Sequence, residues 1–116
     1  MRTTDLVQLR TPTDGWVTVC RYAALEPACG VTALLPDGGQ AAVFRLPSGE
    51  VLAVGNRDPF SGAGVIADGI TGSVDGVPIV ASPMHKQTFD LRTGHCLDDP
   101  ERALPSYPTR LVAPAG

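Results

Sequence analysis

The sulfur and imidazole side chains of this sequence are the ones that could carry metal or redox chemistry. The 116 residues include three cysteines, Cys20, Cys29 and Cys96, and two histidines, His85 and His95. Thiolates and imidazoles are the usual ligands of zinc and of iron–sulfur clusters. A thiol beside a base can also act as a nucleophile. These residues are numerous enough to bind one metal centre, so their positions decide whether one can form.

The positions are unfavourable for zinc and for a thiol nucleophile. Eight residues separate Cys20 from Cys29, whereas cysteines in structural zinc sites are typically spaced by roughly two to four residues. Cys20 falls in a predicted strand, and nothing in the sequence brings it near His85. We therefore expect the cysteines to be free thiols, packed as small apolar side chains.

Composition excludes several further classes of protein. Apolar residues make up 43% of the chain and charged residues 18%, which indicates a folded domain rather than a disordered chain. The formal net charge of −3 argues against a nucleic-acid partner. No apolar run approaches the roughly 18 residues needed to cross a bilayer, and no signal peptide is recognisable. We predict a cytoplasmic protein with no membrane partner.

Thirteen glycines and eleven prolines favour short strands and turns over long helices. We expect a polar N-terminal arm over residues 1–14, one folded domain over 15–113 and a frayed C-terminus over 114–116. The apolar alternation predicts strands at 16–20, 31–35, 40–46, 51–54, 69–73, 77–81, 88–91 and 107–112, with a further short strand or turn near 65–66. The fold class is therefore all-β, an antiparallel sandwich or small barrel.

Two irregular loops interrupt this pattern, GNRDPFSGAG at 55–64 and SPMHKQ at 82–87. The first lacks the glycine spacing of nucleotide-binding loops. The second is followed by F-D-L-x-T-G, and together they resemble a Rieske domain, in which two hairpin loops at one end of the fold read C-x-H and C-P-x-H-G and hold a [2Fe–2S] cluster. The matching residues are Pro83, His85, Phe89, Asp90, Thr93 and Gly94.

The cluster ligands of that family are mostly replaced in this chain. The four ligand positions carry Asn56, Asp58, Ser82 and His85, so only the last matches. A Rieske cluster needs two thiolates on one iron and two imidazoles on the other, and a serine hydroxyl is a poor substitute for a thiolate. The resemblance implies the fold without the cluster, and we expect no metal or cofactor in this chain.

A longer resemblance covers roughly residues 15–112. The chain is similar to the small subunits of assimilatory NAD(P)H-dependent nitrite reductases, which are Rieske-like domains without cluster ligands. The stretches that carry it are Trp16-Val-x-Val-Cys20, Gly30-Val-x-Ala-Leu34, Ala42-Val-Phe-Arg45, Asn56-Arg-Asp-Pro-Phe-Ser-Gly-Ala63, Gly69-Ile-x-Gly72, Ala81-Ser-Pro-Met-His-Lys-Gln-x-Phe-Asp-Leu91 and Gly94-x-Cys-Leu-Asp98.

This resemblance implies an accessory role. The large subunit of such enzymes is expected to carry FAD, a [4Fe–4S] centre and siroheme, and to reduce nitrite to ammonium with electrons from NADH or NADPH. The small subunit is then non-redox, and inactive alone. Two alternatives remain open: a Rieske-type [2Fe–2S] electron carrier with an unusual cluster, and a Rieske-like interaction module of another oxidoreductase.

Two expectations concern the loops themselves. Asn56, Asp58 and Ser82 readily form hydrogen bonds to backbone groups, so we expect them to join the two loops in place of a metal. The loop tips are expected to form an exposed docking surface for the large subunit. Its residues are Arg57, Phe60, Met84, His85 and Lys86.

Overall fold

The computed structural model describes residues 4–84 and 86–114, which form ten strands and two single turns of 3-10 helix. The strands are β1 Leu6–Thr11, β2 Gly15–Arg21, β3 Gly30–Leu34, β4 Gln40–Arg45, β5 Val51–Gly55, β6 Ile70–Val74, β7 Val77–Ala81, β8 Thr88–Asp90, β9 Ser106–Tyr107 and β10 Thr109–Val112. The 3-10 turns are Tyr22–Ala24 and Ile66–Asp68. Over the described ranges no helix is long and apolar enough to cross a membrane.

The strands form three antiparallel sheets, ordered β10-β1-β2, β3-β4-β5-β9 and β6-β7-β8. The all-β, antiparallel fold predicted from the sequence is confirmed. The middle sheet has apolar side chains on both faces, because alternate residues of a strand point in opposite directions. In β4, Ala41 and Val43 belong to one core, whereas Ala42 and Phe44 belong to the other.

Each core lies against a different outer sheet. Val7 and Leu9 of β1 contribute to the first core, and Val80 of β7 and Phe89 of β8 contribute to the second. The second core continues towards the loop end of the molecule, where Phe60 packs against it. The two loops thus project from strands that are fixed by a shared core.

The predicted N-terminal arm is wrong from Leu6 onwards. β1 is the central strand of its sheet, paired with β2 on one side and β10 on the other. Val7 and Leu9 have no exposed surface. The segment resembles a polar leader because Gln8 and Arg10, on the other face, alternate with these apolar residues, and because its second partner, β10, lies a hundred residues away in sequence.

The C-terminal part differs from the single predicted closing strand. Proline has no N–H to donate, so Pro108 separates β9 from β10. β9 pairs with β5 and β10 pairs with β1, which carries the chain from the middle sheet to the first. Near 65–66 the chain enters the 3-10 turn Ile66–Asp68 rather than a strand. Of the predicted C-terminal end, only residue 114 is described.

Candidate functional site at the loop end

A hydrogen bond between side chains joins the first loop, residues 56–64, to the second loop, residues 82–87. Asp58 is fully buried, and its Oδ2 accepts the hydroxyl hydrogen of Ser82, which is also buried. Oδ1 of Asp58 accepts the N–H of Phe60 at 2.8 Å. The carboxylate therefore fixes the turn of its own loop and binds the other loop at the same time.

The second loop is closed around Ser82. Its N–H donates to the carbonyl of Gln87, and its carbonyl accepts the N–H of Lys86, both at 2.9 Å. The hydroxyl oxygen also accepts the N–H of Met84 at 3.3 Å. Lys86 has a φ of 62°, a left-handed conformation that is uncommon outside glycine. Hydrogen bonds among the described residues of the loop therefore help to set its conformation.

Asn56 behaves differently from the prediction that it joins the two loops. Its Oδ1 accepts the N–H of Ala67 at 2.8 Å, and its Nδ2 donates to Oε1 of Gln40 at 3.0 Å. A longer contact of 3.5 Å joins Nδ2 to the hydroxyl of Thr32. Asn56 thus holds the first loop to β3, β4 and the 3-10 turn, whereas Asp58 bonds to Ser82 of the second loop.

These groups do not fit a Rieske cluster. The three described ligand positions carry an amide, a carboxylate and a hydroxyl, all buried and all already hydrogen-bonded within the protein. None of them is a thiolate or an imidazole, which the cluster requires. The three cysteines lie outside both loops, and in the described part of the chain no three Cys, His, Asp or Glu residues come together as a metal site. His85 lies outside the described residues.

The predicted docking surface is only partly exposed. Arg57 and Lys86 are exposed, and Met84 retains 49% of its surface. Phe60 is a correction, because its ring is half-buried: it packs on the second core and lies 6.3 Å from the ring of Phe89. Phe60 therefore anchors the first loop.

Arg102 is a component of this surface that the sequence analysis missed. Its guanidinium lies over the ring of Phe60, 5.4 Å from the ring centre, and Nη1 donates to the carbonyl of Pro59 at 3.2 Å. Arg102 comes some forty residues after the first loop, so no local motif could associate the two. It covers the outer face of Phe60 and adds a third cation to those of Arg57 and Lys86.

The cysteines occupy three different environments. Cys96 is buried in the second core, Cys20 is half-buried and Cys29 is exposed. Burial raises the pKa of the Cys20 thiol above its ordinary value. The sequence predicts that all three cysteines pack as buried apolar side chains. Cys96 does so and Cys20 does so in part, but for Cys29 the prediction is wrong.

The fold and the loop end define a Rieske-like domain whose described ligand positions lack cluster ligands. The family model for the Rieske-like [2Fe-2S] domain matches residues 15–114. The chain belongs to that family, although the side chains of Asn56, Asp58 and Ser82 do not suit a [2Fe-2S] cluster.

More specific relatives are nitrite reductase subunits. The chain is 37% identical over 97 residues to the nitrite reductase (NADH) small subunit of Salmonella typhimurium, an alignment covering 83% of this chain and 89% of that protein. It superposes with a TM-score of 0.77 and 40% identity on a Mycobacterium tuberculosis protein assigned as the small subunit of an NADH-dependent nitrite reductase, covering 96% and 98% of the two chains. The chain belongs to the family of NAD(P)H nitrite reductase small subunits.

A third relative is a much longer polypeptide. The chain is 35% identical over 100 residues to the nitrite reductase [NAD(P)H] large subunit of Klebsiella oxytoca. The match covers 86% of this chain but only 10% of that protein. In that relative, a region similar to most of this chain is therefore part of the large subunit itself.

Proposed function

We propose that this chain is the non-redox accessory subunit of an NAD(P)H nitrite reductase and is inactive alone. It binds a large subunit that carries FAD, siroheme and a [4Fe–4S] centre and reduces nitrite to ammonium. The observation that carries the non-redox part is the bond from Ser82 to Asp58, because it uses at the loop junction the atoms that would have to bind iron in an electron carrier.

The Klebsiella oxytoca relative supports a lasting association with the large subunit. A covalent connection turns association into an intramolecular step and raises the effective concentration of the two parts. A domain that is part of the large subunit in one relative and a separate chain in another is expected to contact the same neighbour in both. The separate chain must then obtain its affinity from its own surface.

The loop end is the surface that we propose for this contact. It combines the exposed thioether of Met84 with the cations of Arg57, Lys86 and Arg102. Apolar side chains surrounded by cationic ones suit a partner surface with an apolar centre and an acidic rim. His85 belongs to the same proposal by its position in the sequence.

Copurification and a visible spectrum test the function. We expect the tagged chain to retain a siroheme-containing polypeptide from its native host, and the purified chain alone to be colourless and inactive. Adding it to the large subunit should raise nitrite-dependent oxidation of NADH or NADPH. A brown chain with iron near two atoms per molecule, as the [2Fe–2S] formula requires, would establish the electron carrier instead. Capture of another oxidoreductase without siroheme would establish the interaction module.

Two substitutions made together, one that introduces a charge and one that reverses a charge, test the surface. Met84→Asp combined with Lys86→Glu should weaken large-subunit binding at least tenfold, because an apolar contact and a complementary charge are lost together. Phe60 is left intact because it holds the loop. The matched control is Val74→Asp, an exposed apolar residue at the far end of the β6–β7 hairpin from Ser82. Equal loss of binding in the control would remove the loop end as the contact surface.

A further inference from the structure

A pocket of about 400 Å³ lies beside the first loop, between it and the turn that joins β3 to β4. Most of its lining is glycine, so backbone rather than side chains forms the walls. Its two long side chains, Gln40 and Arg57, both carry N–H donors. The lining residues are Gly38, Gly39, Gln40, Arg57, Gly62 and Gly64.

The guanidinium of Arg57 is oriented within this pocket. Its Nε donates to the carbonyl of Gly62 at 2.9 Å, which fixes the plane of the group. Over residues 4–84 and 86–114, no side chain or carbonyl accepts a hydrogen bond from its two terminal nitrogens. By contrast, the guanidinium of Arg92 is held by the carboxylate of Glu50 at 2.7 and 2.8 Å. Among the described residues, Arg57 is therefore an oriented fork of donors whose terminal nitrogens are open to solvent or to a ligand.

The amide of Gln40 is oriented in the same way. Its Oε1 accepts a hydrogen bond from Nδ2 of Asn56 at 3.0 Å, and Asn56 is itself buried and held by Ala67. The other end of the Gln40 amide, Nε2, is consequently a donor. Asn56, at a position where a Rieske protein has a ligand, here positions a donor of the neighbouring pocket.

Three glycines of the lining are suited to the local backbone or to the position of Gln40. A Cβ on Gly64 would lie 2.9 Å from Oε1 of Gln40 and would displace the amide. Gly38 and Gly62 have φ values of 90° and 78°, which side chains rarely adopt. The carboxylate of Asp37 accepts the N–H of Gly39 at 2.8 Å and places a negative charge in the adjacent turn. That charge opposes the binding of any anion, and it opposes ligands with more than one negative charge more strongly than singly charged ones.

We propose that this pocket binds a small planar oxyanion with one negative charge. Carboxylates, nitrate and nitrite have this chemistry, and their paired oxygens match the fork of Arg57. Two sources are possible for the group: a free anion, or a carboxylate of the large subunit. The described residues form the pocket within this chain, and only the second source rests on the proposed function.

Titration of the isolated chain by NMR tests the pocket. Formate, nitrite and nitrate are added to the ¹⁵N-labelled protein at constant ionic strength, with chloride as the reference anion. We expect saturable shifts at the amides of Gly62 and Gly64 and at the side-chain amide of Gln40. Shifts that rise linearly, or that chloride reproduces, overturn the proposal.

Variants of Arg57 distinguish the contribution of its paired hydrogen bonds from that of its positive charge. Arg57→Gln should weaken binding about tenfold or more, because a charged, paired hydrogen bond is lost. Arg57→Lys keeps the charge but not the fork and should also bind more weakly; binding equal to that of the unmodified chain would overturn the proposal. Arg110→Gln, on β10 of another sheet, is the control and should bind normally. Unchanged spectra outside the pocket establish that each variant is folded.

Measurements of large-subunit binding distinguish the two possible sources of the anion. If Arg57→Gln weakens large-subunit binding and formate competes with that binding, the group is a carboxylate of the partner. If large-subunit binding is unaffected by either, the pocket binds the free anion. Failure of the chain to bind any large subunit would contradict the proposed function but leave the titration of the isolated chain unchanged.

Discussion

Ser82 donates its hydroxyl hydrogen to the carboxylate of Asp58, and both side chains are buried where the two loops meet. The carboxylate of Asp58 also accepts a hydrogen bond from the N–H of Phe60, so donors from both loops stabilise its charge. Hydrogen bonds to a buried charge contribute more than neutral ones, because the unpaired charge would be costly. This bond connects the two loops directly.

Removing the hydroxyl tests that connection. Ser82→Ala leaves the buried carboxylate short of one donor, and we expect the free energy of unfolding to fall by about 1–3 kcal/mol. Urea denaturation provides the measurement. Ser73→Ala, at an exposed position on β6, is the control and should change stability by less than about 0.5 kcal/mol. Equal stability of the two variants would contradict the role of the bond.

The first strand gives a second prediction. Leu9 has no exposed surface and lies in the first core, so Leu9→Ala should lower the free energy of unfolding by about 2–5 kcal/mol. Leu34→Ala removes the same atoms from a side chain that is 76% exposed and should have little effect. A small loss at Leu9 would mean that β1 is dispensable, as an N-terminal arm would be.

A third prediction concerns pH. Arg92 holds the pKa of Glu50 below its ordinary value, first through the hydrogen bond and then through its charge. A lowered folded-state pKa stabilises the protein above the pKa of the unfolded chain, and this contribution is lost as the pH falls through the folded-state pKa. Both side chains are roughly half exposed, so the contribution is small.

The measurement compares the urea midpoints of the unmodified chain and Glu50→Gln. We expect the unmodified chain to have the higher midpoint at about pH 7 and the difference to disappear as the pH falls through the folded-state pKa of Glu50, because the carboxyl is then protonated in both states. High salt at neutral pH should also reduce the difference. A difference that persists in acid would have to arise from packing.

The thiols give a fourth prediction. Cys29 is exposed, Cys20 is half-buried with a raised pKa, and Cys96 is buried. Since the thiolate is the reactive form, iodoacetamide at mildly alkaline pH should modify Cys29 first, Cys20 more slowly and Cys96 only after unfolding. Mass spectrometry of timed digests provides the order. Early modification of Cys96 would contradict the packing of the second core.

The sequence predicted most of the middle of the fold because its signals are local. The turns at Asp37-Gly38 and Asp75-Gly76 and the apolar run of β4 define their strands without reference to distant residues. β1 could not be recognised in the same way, because the partner that makes it a central strand is β10. The alternating burial of β1 indicates a central strand only once its pairing with both β2 and β10 is known.

For the site, too, local features could be predicted from the sequence and contacts between distant segments could not. The replacement of cluster ligands can be seen in the sequence, since Asn56, Asp58 and Ser82 stand at recognisable motif positions. The sequence does not show which of these side chains face each other, because that depends on how close the two loops lie in the folded protein. Asp58 reaches Ser82, whereas Asn56 turns to Gln40 on the neighbouring strand. Arg102 lay outside the prediction because its contact with Phe60 is made only by tertiary structure.

The closure of the loops by Asp58 and Ser82 has a consequence for how the domain matures. A cluster that bridges two loops has to be delivered and inserted, and the loops of such a domain depend on iron supply and on the redox state of the cell. A hydroxyl and a carboxylate are encoded in the chain and meet as soon as it folds. This hydrogen bond therefore forms through folding alone and needs no iron.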